Sequence, residues 1–231
     1  MSPADSANEG TPLRLNFAAE LDQLRLQVEM MGVLVDHNLE RMREVLRSGD
    51  TALAAEALRA DDDIDAMNVS LTERCYEVLA REGPVASDLR LVVSVIRMTS
   101  ELERIGDLAL RVVKLAPVHD LLASNARTFD ILQAMADEAV EHFRLALRAW
   151  SGADLDLATE LASVPRTMDL HNEQLMQALV GLEGPDSVPM ALRTLVAGQA
   201  LERINDHAAI LGARLRYLLT GDPDHLTAEV R

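Results

Sequence analysis

Several residue types that mark common protein classes are scarce in this chain of 231 residues. Cys75 is the only cysteine, which excludes an intrachain disulfide and a zinc site built on several thiolates. Aromatic residues make up only 3% of the sequence, whereas strands are enriched in aromatic and β-branched side chains. The hydrophobic fraction is nevertheless 48%, drawn mainly from Leu, Ala, Val and Met, which favour helices. This composition indicates an all-helical protein with a substantial core.

Long apolar segments and positive charge are also scarce. No apolar run approaches the roughly 18 residues required to cross a bilayer, and the polar segment Met1–Pro12 lacks the apolar stretch of a signal peptide. We therefore expect no direct membrane insertion and a cytoplasmic location. The net charge of -16 is opposite to the basic footprint of nucleic-acid binders, so we expect no nucleic-acid partner. The excess of carboxylates suits either solubility alone or the binding of cations or a basic partner.

Glycine and proline divide the chain into six predicted long helices. The breaks fall at Ser48-Gly49, Gly83-Pro84, Pro117, Ser151-Gly152 and Gly184-Pro185. Asp50 and Asp154 follow two of these breaks and are candidate N-caps. The predicted helices run from 13 to about 47, after 50 to about 81, after 84 to about 115, about 119 to 150, after 154 to about 182, and after 185 to about 220.

The second half of the chain repeats the landmarks of the first half in the same order. Ser48-Gly49 matches Ser151-Gly152, Gly83-Pro84 matches Gly184-Pro185, and Leu102–Asp107 matches Leu201–Asp206, at offsets of 103, 101 and 99 residues. Short breaks between long helices imply antiparallel neighbours. We therefore predict an all-α fold of two similar antiparallel three-helix bundles, spanning 13–116 and 117–221. A flexible tail, 1–12, precedes them and a second tail, 222–231, follows; a single six-helix bundle remains the alternative.

Acidic side chains recur in pairs on helix faces that are otherwise largely apolar. Because each helical residue advances about 100°, Glu103 and Asp107 lie side by side on a stripe with Val92, Ile96 and Leu110. Equivalent pairs are Asp61 with Asp65 in helix two, Asp169 with Glu173 in helix five, and Glu202 with Asp206 in helix six. Like charges four residues apart weaken a helix by roughly 0.2–0.5 kcal/mol, and partial burial adds to that.

These pairs require cations, and two sources are open. Arginines of neighbouring helices could pair with the carboxylates, or the carboxylates could bind metal ions that prefer hard oxygen ligands. Because both halves carry the same motif, we favour metal. Glu101 and Arg104 fall on the solvated face of helix three, and His207 falls on the outward side of helix six.

The segments Leu102–Ala109 (LERIGDLA) and Leu201–Ala208 (LERINDHA) resemble the acidic motif of the PhoU family. The segment Pro84–Arg90 (PVASDLR) is similar to the one that precedes the first motif in that family. The resemblance covers roughly Leu13–Asp222. It implies a regulator that represses phosphate uptake and phosphate-starvation signalling. The implied partners are the ATPase subunit of a phosphate transporter and a phosphate-sensing histidine kinase. Some members of the family carry metal clusters on the acidic pairs and others are found without metal.

The motif carries over residue by residue as a set of implied metal ligands. The set comprises Asp61, Asp65, Glu103 and Asp107 in the first half, and Asp169, Glu202 and Asp206 in the second. The metal is left open between Fe, Mg, Mn and Zn. Aligning Asp65 with Asp169 puts Pro165 opposite Asp61 and Arg166 opposite Asp62, so we predict that the second site is the weaker one. Glu173 could partly substitute for the lost acid.

Two further functions remain to be weighed against a regulatory adaptor. Carboxylate-bridged di-iron enzymes in helical bundles pair Glu with His three positions later, and none of the six histidines follows Glu at that distance. A glycine-rich phosphate loop is also absent from the sequence, so we expect no enzyme. Metal storage or buffering remains the other alternative. The oligomeric state is left open, a homodimer included.

Overall fold

The computed structural model describes residues 10–162 and 167–230, and these residues form helices without a strand. The α-helices are α1 (Gly10–Ser48), α2 (Thr51–Glu82), α3 (Ala86–Val113), α4 (His119–Ala123), α5 (Ala126–Gly152), α6 (Leu155–Ala162), α7 (Thr167–Val180) and α8 (Ser187–Thr220). Short 3-10 helices cover Ala116–Val118 and Pro223–Val230. The predicted all-α class is confirmed.

The predicted capping residues begin and end the helices as their chemistry requires. The Asp50 carboxylate accepts hydrogen bonds from the backbone N–H groups of Ala52 and Leu53, at 2.8 and 3.0 Å. Asp154 caps α6 in the same way. Gly83 ends α2 with a left-handed φ of 54°, a conformation that favours glycine because it has no Cβ. Local sequence therefore determines where these helices begin and end.

Several predicted boundaries differ from the structure. The predicted helix from 119 to 150 is broken after Ala123, because the Asn125 side chain accepts a hydrogen bond from the Thr128 N–H and starts α5. The first helix begins at Gly10 instead of Leu13. The predicted fifth helix corresponds to α6 and α7, and the residues between them lie outside the described part of the chain. The predicted tail from 222 contains a 3-10 helix that packs against α8.

Two bundles of similar construction pack against each other. Helices α1, α2 and α3 form the first, and α5, α8 and the α6–α7 pair form the second, with α6 and α7 in the place of α2. Buried positions of α1 recur in α5 at a constant offset of 104 residues, as in Val35 with Ala139 and Leu39 with Phe143. The predicted pair of similar three-helix bundles is thereby confirmed.

Contacts between α3 and α8, and between α1 and α5, join the two bundles. Buried apolar residues of both halves belong to one contiguous core. The division into separate domains at 116/117 therefore stays a prediction. Within the described residues, no helix combines the length and apolar character needed to cross a membrane.

Candidate metal sites

The first acidic site lies where α2 packs against α3. Asp61 is only 7% exposed, and its Oδ1 atom has no hydrogen-bond partner. Gly106 of α3 faces it, and a Cβ at that position would lie 3.0 Å from Asp61 Oδ1. A side chain at 106 would therefore press on the carboxylate, so the absence of a Cβ makes room for it. Glu103 is half-buried beside this contact, and Asp65 and Asp107 are exposed.

The four carboxylates of this site repel one another. Burial raises the pKa of Asp61 to about 6, with further contributions from Asp65, Asp107 and Glu103. Burial also raises the pKa of Glu103, followed by repulsion from Asp107 and Asp65. The four residues that the sequence nominated for the first half therefore lie within electrostatic reach of one another.

The second acidic site lies where α7 packs against α8, and its carboxylates have more polar partners. Burial raises the pKa of Glu202, as do Asp206 and Asp169, while a hydrogen bond from Asn172 opposes the shift. Asn172 Nδ2 donates to Glu202 Oε1 at 2.9 Å.

The pKa of Asp206 is also raised by burial, against the opposing charges of His207 and Arg203. Repulsion from Asp169 raises the pKa of both Glu202 and Asp206. The three nominated residues therefore lie within electrostatic reach of one another. Glu173 is exposed on α7. Pro165 and Arg166, on which the predicted asymmetry depended, lie outside the described residues.

Positive charges lie near some of these carboxylates, as Arg104 does for Glu103 and Arg203 for Asp206, but direct ion pairs are missing from the described part of the chain. There, none of the seven forms an ion pair with Arg, Lys or His within 4.0 Å. The alternative of inter-helix arginine pairing therefore finds no partner among residues 10–162 and 167–230. Nor do three His, Cys, Asp or Glu side chains within these ranges stand in a ready metal-binding arrangement.

The chemistry of the first site nevertheless fits a hard cation. Asp61 offers a buried carboxylate oxygen without a partner, and three further carboxylates surround it. Oxygen ligands of this kind suit Mg²⁺ and Mn²⁺. A metal ion would offset the burial and the mutual repulsion that together raise the pKa of Asp61 and Glu103. The metal assignment remains a prediction.

Glu101 and His207 lie between α3 and α8, contrary to the prediction from sequence. Glu101 is 8% exposed, and the distance from its Oε2 to His207 Nδ1 is 2.5 Å. Arg104 Nη1 donates to the other carboxylate oxygen at 2.9 Å. The assignment to solvated faces was wrong because the periodicity of one helix does not reveal that α8 covers this side of α3. The sequence carries no local signal for that contact.

Comparison with known proteins finds similar chains over nearly the whole length. Residues 28–116 match the model of the PhoU domain. A phosphate-specific transport system accessory protein PhoU homolog of Pseudomonas putida is 33% identical over 223 residues, covering 93% of this chain and 87% of the relative. The corresponding PhoU protein of Escherichia coli K12 is 27% identical over 94% of this chain and 90% of its own.

Solved structures agree with these sequence comparisons. The crystal structure of PhoU from Pseudomonas aeruginosa has a TM-score of 0.82 at 32% identity, covering 89% of this chain and 100% of that one. The phosphate transport system regulatory protein PhoU from Streptococcus pneumoniae has a TM-score of 0.79 at 27% identity, covering 89% and 98%.

Proposed function

Because this chain belongs to the PhoU family, we propose that it is an accessory protein of a phosphate-specific transport system that represses phosphate uptake and phosphate-starvation signalling. The near-full-length similarity to the accessory protein of Pseudomonas putida carries this proposal. In this role the chain is a cytoplasmic adaptor without catalytic turnover. It contacts the ATPase subunit of the transporter and a phosphate-sensing histidine kinase. Oxidase or phosphatase activity of the pure protein that disappears on Glu103→Ala would contradict the absence of turnover.

The acidic sites supply the second part of the proposed function, which is metal binding. Asp61, Asp65, Glu103 and Asp107 would hold a cation between α2 and α3, and Asp169, Glu202 and Asp206 would hold one between α7 and α8. The support is the cluster of carboxylates that repel one another and, among the described residues, form no direct ion pair. A divalent cation bound there neutralises the carboxylates and links the two helices of each pair. Metal storage, the alternative, requires more sites than the two acidic groups provide.

Affinity capture from cells grown with ample phosphate tests the adaptor role. The full chain serves as bait, and we expect it to recover a transporter ATPase or a sensor kinase. The bait Glu103→Ala/Asp107→Ala tests whether the first site contributes. Its matched control is Glu73→Ala/Glu77→Ala, which removes an exposed pair of acids at the same spacing from α2. If neither partner is captured by the unaltered chain, the adaptor proposal fails.

Calorimetric titration with a divalent metal tests the metal proposal and the predicted difference between the two sites. Glu202 already accepts a hydrogen bond from Asn172, whereas Asp61 Oδ1 has no partner, so we expect the first site to bind more tightly. Glu103→Ala/Asp107→Ala should then abolish the tighter event, and Glu202→Ala/Asp206→Ala should leave it. Loss of the tighter event in the second variant would reverse the assignment. An unaltered chain that binds none of Fe, Mg, Mn or Zn would exclude metal binding.

A further inference from the structure

A buried amide side chain lies on α1, the helix that packs against both α2 and α3. Asn38 is 1% exposed, and neither its Oδ1 nor its Nδ2 atom has a hydrogen-bond partner. Buried polar groups are normally partnered, and one left without a partner costs about 1–3 kcal/mol. A polar ligand that enters the bundle at this level would remove that penalty.

Contacts between α1 and α2 fix the level of Asn38. Arg41 pairs with Glu56 at 2.9 Å, Arg74 bonds Gln27 at 2.7 Å, and Arg81 pairs with Glu20 at 2.5 Å. In each of these contacts, similar numbers of residues separate the two partners from the turn between α1 and α2. The same antiparallel register puts Asn38 opposite Asp61.

Each of the three helices therefore contributes one residue to a polar layer inside the first bundle. These residues are Asn38 from α1, Asp61 from α2 and Gly106 from α3. The layer contains two oxygen atoms without partners, Asn38 Oδ1 and Asp61 Oδ1, and the glycine keeps the space in front of Asp61 free of a side chain. A carboxylate and an amide oxygen, neither with a hydrogen-bond partner, together attract a cation and repel an anion.

The equivalent layer of the second bundle is closed by its own side chains. His142 stands in the position of Asn38, at the offset of 104 residues, and Asn205 stands in the position of Gly106, at 99. The two side chains are buried, and His142 Nδ1 lies 2.7 Å from Asn205 Oδ1. A side chain thus occupies the place that Gly106 leaves open in the first bundle, and it bonds to the residue that replaces Asn38.

We propose that the first bundle binds a divalent cation at an inner position where the Asn38 amide oxygen is a ligand beside Asp61, and that the second bundle has no such position. The inference rests on the metal binding proposed above and adds a third helix to the first site. The ligand set consists of carboxylate and amide oxygens, which suits Mn²⁺ or Mg²⁺ with water completing the shell. Binding then fastens α1 as well as α2 and α3.

Titration of the full chain with Mn²⁺, followed by calorimetry and by the electron paramagnetic resonance of bound Mn²⁺, tests the proposal. Asn38→Leu keeps the approximate size of the side chain and removes the oxygen, and we expect at least tenfold weaker binding in the tightest event. Thr194→Val is the matched control, since it also removes a buried, unpartnered oxygen, but from the second bundle. We expect this variant to bind like the unaltered chain.

Two measurements separate a ligand from a merely structural residue. In chelator, Asn38→Leu should unfold at the same temperature as the unaltered chain or higher, because an unsatisfied amide has been removed. Asn38→Asp adds a charged oxygen at the same place and should bind Mn²⁺ more tightly. If Asn38→Leu does not fold, the Mn²⁺ affinity of Asn38→Asp alone tests the proposal.

The outcomes distinguish this inference from the general metal proposal. Unchanged Mn²⁺ affinity in Asn38→Leu, or unchanged or weaker affinity in Asn38→Asp, overturns the inner position while leaving metal binding at the surface carboxylates intact. An unaltered chain that binds no Mn²⁺ overturns the inner position, and other metals then decide the broader proposal. Weaker binding in Thr194→Val equal to that in Asn38→Leu also overturns it, because the effect would not be specific to Asn38.

Discussion

Asp61 bears the largest electrostatic penalty among the acidic residues described here. Its side chain is 7% exposed, and one carboxylate oxygen has no hydrogen-bond partner. Burial raises its pKa, and the charges of four other carboxylates, Asp65, Asp107, Glu103 and Asp62, raise it further. A group with these properties is unfavourable for stability unless a ligand or a proton compensates it. The residue therefore points to binding in a way that its exposed neighbours Asp62 and Asp63 do not.

The Asp61→Asn substitution should stabilise the metal-free protein at neutral pH. The pKa of Asp61 is raised from 3.8 to about 6 on folding, so stability falls as the pH rises through this window and the loss is complete above it. Removing the charge should raise the free energy of unfolding by roughly 1–3 kcal/mol at pH 7, and by less towards pH 4. Urea denaturation in chelator at both pH values measures this difference.

An exposed neighbour provides the control for that substitution. Asp63→Asn removes the same charge two residues further along α2, on a side of the helix that faces solvent. It should change the free energy of unfolding by less than about 0.5 kcal/mol at either pH. If Asp61→Asn destabilises the protein at pH 7, or if its effect does not depend on pH, the account of Asp61 is incorrect.

Helix boundaries show how far local sequence determines this fold. The sequence predicts Asp50 and Asp154 as caps, because short acidic side chains after a Ser-Gly break accept hydrogen bonds from free N–H groups, and the structure confirms both. The break at Ser124 and Asn125 was missed although Asn125 is also a capping residue. Neither glycine nor proline stands beside Asn125, so the local sequence indicates a helix break only weakly.

Alanine at the two predicted caps should weaken the helices that they begin. Asp50→Ala removes two hydrogen bonds to α2, and Asp154→Ala removes two to α6, so each should lower the free energy of unfolding by about 1 kcal/mol. Chemical denaturation of both variants measures the losses. Asp156→Ala, an exposed acid in the first turn of α6, is the comparison and should have a smaller effect. Equal losses in all three would show that charge and not capping is responsible.

Contacts between helices could not be predicted from the sequence. Periodicity distinguished apolar from polar faces and collected the acidic residues correctly, since these depend on one helix at a time. Glu101 was assigned to solvent because its burial depends on α8, which is about a hundred residues away in the chain. Asn38 attracted no attention for the same reason, since only the register between α1 and α2 places it opposite Asp61.

Polar contacts join the two bundles at both helix pairs that connect them, α1 with α5 and α3 with α8. Arg144 of α5 bonds Asp36 of α1 at 2.8 Å, and Glu101 of α3 contacts His207 of α8. A double-mutant cycle of Glu101→Gln and His207→Leu should give a coupling energy of roughly 1–3 kcal/mol, because the contact is largely shielded from water. Arg25 and Asp22, an exposed pair within α1, should give much less. Additive effects at Glu101 and His207 would mean that the contact does not stabilise the interface.

The continuous core predicts that the two bundles unfold together. Buried apolar residues of both halves pack in one cluster, and α3 contacts α8 as α1 contacts α5, so opening one bundle exposes apolar surface of the other. Exposing such surface costs about 25 cal/mol per Å², which couples the halves. We expect one calorimetric transition in chelator, with calorimetric and van't Hoff enthalpies in agreement. Asp50→Ala, in the first bundle, and Asp154→Ala, in the second, should both shift this single transition. Two resolved transitions, each shifted by only one of the variants, would show instead that the bundles are separate folding domains.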